Sequence, residues 1–146
     1  MKEMTNDELP EGWAVTTLDH IASDVSYGYT AKSNQDSGGA KMLRITDIQD
    51  NRVNWAGVPF CEISPAEKEK YLLKRWDLVF ARTGATVGKS FLIQDDIPES
   101  VFASYLIRVR CLNHEMTRYL SGFFNSPEYW DQITDWNLAK QFANTS

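Results

Sequence analysis

The chain has 146 residues, 42% of them hydrophobic, which is the material of one domain with one core. Its two cysteines, Cys61 and Cys111, are too few for a disulfide framework or a four-cysteine zinc site and read as reduced thiols. With Asp+Glu 20 against Lys+Arg 15 the net charge is -5, which disfavours nonspecific nucleic-acid binding, since that affinity rests on Lys and Arg displacing counterions from phosphates.

No apolar run approaches the roughly 20 residues of a membrane span, and the acidic start MKEMTNDELPEGW is unlike a signal peptide. A cytoplasmic protein with no membrane partner is expected. Residues 1–8 read as a flexible tail and 9–146 as a single domain without repeats or linkers. After Pro10, Leu18, Ile21, Ala22 and Val25 recur at helical spacing, predicting a short amphipathic helix. Ser26 to Lys41 is polar, glycine-containing and almost free of aliphatic residues, and reads as a long exposed loop.

From Met42 the pattern turns to strands. Leu43 and Ile45 alternate with Arg44 and Thr46, and Asp50-Asn51 marks a turn. Ser64, Pro65 and Glu67 form a capping box with proline in the first helical position, so a short charged helix starts there. RWDLVFART and KSFLIQ read as a hairpin around a glycine-flanked loop. VFASYLIRVRCL reads as one long half-buried strand, with Leu106, Arg108 and Arg110 on a face assigned to structure, solvated rather than bound to DNA. Two helices close the chain, one from Asn113 through Phe124 and one capped by Ser126-Pro127 that carries Tyr129, Trp130, Ile133 and Trp136. The fold class is α+β, a single domain with a curved, mostly antiparallel sheet flanked by short helices at both chain ends. NLAKQFANTS has no stop signal and reads as a truncated end.

Gly84 to Ser90, GATVGKS, ends like a phosphate-binding loop but is one residue short of G-x-x-x-x-G-K-[ST] and leads into a strand where that loop must open a helix. It still projects Arg82, Thr83, Thr86 and Lys89 from one place. His20 and His114 lack metal or nucleophile partners in the sequence, Asp95-Asp96 reads as a solvated turn, and Asn125 to Tyr129 reads as a helix cap rather than a methyltransferase box. Most of the five tryptophans, six tyrosines and seven phenylalanines belong to apolar stripes. Tyr27 and Tyr29 do not. They flank Gly28, upstream of Thr30, Lys32, Ser33, Asn34 and Lys41, a set able to meet phosphates and base edges.

The order LPEGW, polar loop, LRITDIQ, LLKRWDLVFARTGATVGKS and YLSGFFNSPEYW resembles a target recognition domain of the DNA specificity subunit of type I restriction-modification enzymes. Segments of that family corresponding to Lys74–Lys89 usually read L-x-x-G-D-[LIV]-[LV]-[FIV]-[AS]-R-x-G-x-x-G-K. Here Trp76 stands in place of the glycine, while Asp77, Leu78, Phe80, Ala81, Arg82, Gly84, Gly88 and Lys89 fit. Full subunits carry two such domains joined by spacer helices, and the expectation for this chain is one domain, with spacer helix and second domain absent. The resemblance implies a non-catalytic reader of double-stranded DNA that recognises half of a bipartite target. Its partners would be the methyltransferase subunits and, indirectly, the ATP-dependent restriction subunits, with a homodimer if the chain is a natural half-subunit. S-adenosylmethionine, ATP and magnesium would belong to those other subunits, so no cofactor is expected here. DNA contacts are expected from Tyr27, Tyr29, Thr30, Lys32, Ser33, Asn34, Lys41, Arg44, Arg82, Thr83, Thr86 and Lys89, with the loop ordering on DNA. The alternatives are a small nucleotide-binding enzyme using Gly84–Ser90 and a protein-interaction module without DNA reading.

Overall fold

The computed structural model describes residues 11, 21–34, 37–82 and 87–132, residue 34 by its backbone alone. In chain order these form β1 Ala22–Tyr27, β2 Ser33–Asn34, β3 Ala40–Leu43, a 3-10 turn Ile45–Asp47, β4 Ile48–Gln49, β5 Arg52–Val53, a second 3-10 turn Trp55–Gly57 and β6 Phe60–Cys61. Helix α1 Pro65–Tyr71, β7 Leu78–Ala81, β8 Ser90–Leu92, β9 Ser100–Phe102, β10 Leu106–Cys111 and helix α2 His114–Phe123 follow. Residues 127–132 are helical again.

Strong local signals hold. Ser64 Oγ accepts the Glu67 backbone N–H at 3.2 Å at the start of α1, and Asn113 Oδ1 accepts that of Met116 at 2.8 Å at the start of α2. Asp50 and Asn51 take φ of 51° and 59°, the pair of positive angles that a two-residue hairpin turn demands, and so close β4 on β5. The β7–β8 hairpin is present, with Leu78 opposite Leu92.

Elements that depend on distant pairing differ from the expectation. Ala22 and Val25 lie in β1 rather than in a helix, because register with β10, from Ala22 opposite Cys111 to Tyr27 opposite Ile107, outweighs their helical spacing; Leu18 lies outside the described residues. The segment from Ser26 to Lys41 is no simple loop. It ends β1, bridges Tyr29 to Ala103, and places β2 and β3 on the two sides of β6, so that Ser33 and Ala40 both face Cys61. The strand from Met42 stops at Leu43, because the Asp47 carboxylate accepts the Arg44 backbone N–H at 2.8 Å and winds Ile45–Asp47 into a 3-10 turn. VFASYLIRVRCL is two strands in different sheets. The Leu106 N–H donates to the Ala103 carbonyl at 3.0 Å across a turn that separates β9, parallel to β3, from β10.

Two four-stranded sheets therefore replace the single one expected, in the orders β1-β10-β7-β8 and β2-β6-β3-β9, and the β3–β9 pair and the Tyr29 bridge run parallel in an otherwise antiparallel α+β fold. Leu43, Val79, Ile93, Phe102 and Leu106 fill the space between the sheets. The far face of the first sheet packs Leu78 and Val109 against Leu120 of α2.

The β10 arginines correct the solvated-face reading. Arg108 is 3% exposed; its guanidinium donates to Asp24 at 2.8 Å and to the Leu72 and Lys70 carbonyls at the end of α1. Arg110 donates to Asp77 at 2.7 and 3.1 Å and to the Leu72 carbonyl at 2.7 Å. The pair holds the carbonyl end of α1 to the first sheet, where cations complement the helix dipole.

Trp76 has φ 75°, a left-handed conformation that costs a bulky side chain about 1–2 kcal/mol. Its ring stacks on His114 at 4.9 Å and lies beneath Arg118 at 4.9 Å. The glycine common at this place in the resembling family is thus explained by backbone geometry. We expect Trp76→Gly to be more stable than Trp76→Ala by about 1 kcal/mol in urea unfolding; at an ordinary φ the order reverses, and that reversed order would refute the strain.

Candidate nucleic-acid interface

A cleft of about 760 Å³ opens between the two sheets' neighbouring loops. One wall is the stretch from Tyr29 to Ser33, the second is the Arg44–Gln49 turn, and the third is the Ala103–Tyr105 connection together with Lys89. Gly28 sets the first wall. A Cβ there would stand 2.0 Å from the Ala103 carbonyl oxygen, so only glycine lets the chain pass close enough for the Tyr29 N–H to donate to the Phe102 carbonyl at 2.8 Å. The close approach that Gly28 permits is to the protein's own backbone.

Tyr29, Thr30, Ser33, Arg44 and Lys89 are brought together in this cleft. The Tyr29 ring leans on Tyr71 at 5.2 Å, and hydrogen bonding to the Glu67 carboxylate, then burial, raises its phenol above the usual tyrosine range. Lys89 Nζ donates to the Ile48 carbonyl at 3.3 Å, reaching across the cleft floor. Tyr27 and Arg82 sit beside the cleft as an exposed stacked pair, 4.8 Å apart, tied to it by the Arg82 N–H donating to the Tyr105 carbonyl. Lys32 is exposed outside the cleft lining. Lys41 turns away, its ammonium donating to the Trp55 carbonyl at 2.6 Å and lying over the Phe60 ring. The Asn34 side chain, Thr83 and Thr86 lie outside the described residues.

Four polar lining residues escaped the sequence reading: Thr46, Gln49, Ser104 and Tyr105. Ser104 and Tyr105 were hidden inside an apparent continuous strand; the small, polar Ser104 was the available signal for a turn. Among the described residues the cleft is lined by two cations, Arg44 and Lys89, and by no carboxylate, in a chain of net charge -5. A second groove, of about 530 Å³, is lined by Asp95 and Asp96 together with Arg52, so its charge is mixed.

No protein-family model matches the chain. Over 75 residues, 51% of this chain, it is 33% identical to the "Putative type I restriction enzyme MjaX specificity subunit" of Methanocaldococcus jannaschii, of which it covers 18%. A chain from a structure on complex assembly and conformational transition of the type I R-M system matches over 83% of this chain, with TM-score 0.60 and 18% identity. The HsdS subunit from Thermoanaerobacter tengcongensis matches over 86%, with TM-score 0.57 and 14% identity. This chain spans 30% and 33% of those two structures. The fold is that found within type I specificity subunits. The resemblance of the sequence to a target recognition domain of such a subunit is borne out on both counts.

Proposed function

We propose that this chain is a DNA-reading domain of a type I specificity subunit, recognising one half of a bipartite duplex target and directing methyltransferase and restriction subunits to it. The cleft carries the reading: amide, hydroxyl and phenol groups gather around Arg44 and Lys89, and the nearby carboxylates of Asp47 and Glu67 are taken up by Arg44 and Tyr29, although the chain as a whole is acidic. Residues 9–146 act as one recognition domain, and the role is binding rather than catalysis. S-adenosylmethionine and ATP with magnesium fall to the partner subunits. The likeness to specificity subunits in sequence and fold supports this reading over the alternatives.

Among the described residues of Gly84–Ser90, one feature weighs against the nucleotide-binding alternative. Ser90, the residue that would hold magnesium in a phosphate-binding loop, has its side chain buried in β8 with no hydrogen-bond partner among the described residues.

Lys89 tests the proposal as a phosphate contact. In the protein assembled with its methyltransferase subunits, Lys89→Ala should weaken binding about equally for all duplexes and make the slope of log affinity against log salt shallower by about 0.9. Unchanged affinity and slope would remove Lys89 from the interface. Failure of the wild-type assembly to prefer any sequence in a random duplex pool would overturn the function itself.

A further inference from the structure

Arg44 and Asp47 form a doubly bonded pair on the cleft wall. Arg44 Nε donates to Asp47 Oδ2 at 3.1 Å and Nη2 to Oδ1 at 2.9 Å, while the same carboxylate accepts the Arg44 backbone N–H at 2.8 Å. The Asp47 N–H in turn donates to the Arg44 carbonyl at 3.1 Å, so the acid is fixed at both its backbone and its side chain. The Asp47 side chain is 9% exposed and that of Arg44 is 39% exposed, which puts the anchor inside and the guanidinium at the cleft.

We infer that Asp47 is a positioning residue that presents Arg44 to read a guanine in the major groove. The inference rests on the proposed DNA-reading role. A guanidinium has five N–H donors in a rigid plane. Asp47 takes the edge formed by Nε and Nη2, and the opposite edge, one N–H on each terminal nitrogen, remains. Two parallel donors at that spacing match the N7 and O6 acceptors that guanine alone displays side by side in the major groove.

The pairing also argues against a phosphate contact. A cation already neutralised by a carboxylate releases few counterions, so it adds little to nonspecific affinity. What the fixed pair keeps is direction, and direction is what a base edge rewards. Lysine has no second edge to offer and would not substitute.

Selection of bound duplexes from a random pool by the wild-type assembly should return a half-site containing a guanine. Replacing that guanine with 7-deazaguanine, which lacks the N7 acceptor, should weaken wild-type binding about 5- to 150-fold. Arg44→Ala and Arg44→Lys should both erase the response to 7-deazaguanine. Asp47→Asn should reduce that response and steepen the salt slope, because it frees the arginine's charge; an acid with a purely structural role would instead weaken every duplex alike. A wild-type half-site with no 7-deazaguanine-sensitive position, or sensitivity that survives Arg44→Ala, overturns the inference and leaves the DNA-reading role standing. No sequence preference in the wild type overturns both. The 7-deazaguanine arm uses unaltered protein, so misfolding of a variant cannot mask the answer.

Discussion

Asp77→Ala is expected to lower the free energy of unfolding by about 3–5 kcal/mol, a large part of the roughly 5–15 kcal/mol that holds a domain folded. Asp77 is 2% exposed and its carboxylate accepts three hydrogen bonds, two from the Arg110 guanidinium and one from the Lys74 backbone N–H at 2.8 Å. Removing it leaves a half-buried cation and a turn N–H without their acceptor, and loosens the Arg110 contact with the end of α1. Asp77→Asn retains an acceptor and should lose less. Urea unfolding measures both, and a loss below about 1 kcal/mol for the alanine variant would show that the pair carries no such weight. Asp24, the partner of Arg108, adds a pH dependence. Burial alone would raise its carboxyl, but hydrogen bonds from Ser26 and Arg108, with the charges of Arg108 and Arg110, outweigh that and leave it below the ordinary carboxylate range. A lowered folded pKa contributes stability that is present above the unfolded value and lost as the pH falls through the folded one. The wild type should therefore weaken in acid, and Asp24→Asn should flatten that part of the curve.

Gly28→Ala is expected to cost about 2–4 kcal/mol and to open the cleft wall. The added methyl would stand 2.0 Å from the Ala103 oxygen, 2.4 Å from its carbonyl carbon and 2.5 Å from the Phe102 oxygen, all backbone atoms that move only if the strands part. Parting them breaks the Tyr29–Phe102 hydrogen bond, and Tyr29, Thr30 and Ser33 then lose their fixed position opposite Arg44. Duplex binding should fall with stability. Gly122→Ala is the control: it lies in α2 with nothing within 4 Å of the new methyl, and should gain about 1 kcal/mol from helix propensity alone. Equal melting of Gly28→Ala and wild type would show that the bridge between Tyr29 and Ala103 is dispensable.

The elements legible in the sequence are those that a few adjacent residues decide. Ser64-Pro65 and Asn113 satisfy the first backbone donors of their own helices, Asp50-Asn51 supplies two positive φ angles, and neither needs a distant partner. The β7–β8 hairpin and the family pattern around Asp77 to Lys89 are local in the same sense. The tertiary structure alone decided where pairing is remote. Ala22 to Tyr27 became a strand because β10, about eighty or more residues on, offered it hydrogen-bond partners, and Arg108 is buried and Arg110 half-buried because Asp24, Asp77 and the end of α1 met them there. The cleft has the same origin. Tyr29, Arg44, Lys89 and Tyr105 share no spacing in the chain, and they meet because strand pairing and the Gly28 crossing bring three loops to one place, a long-range result that periodicity cannot encode.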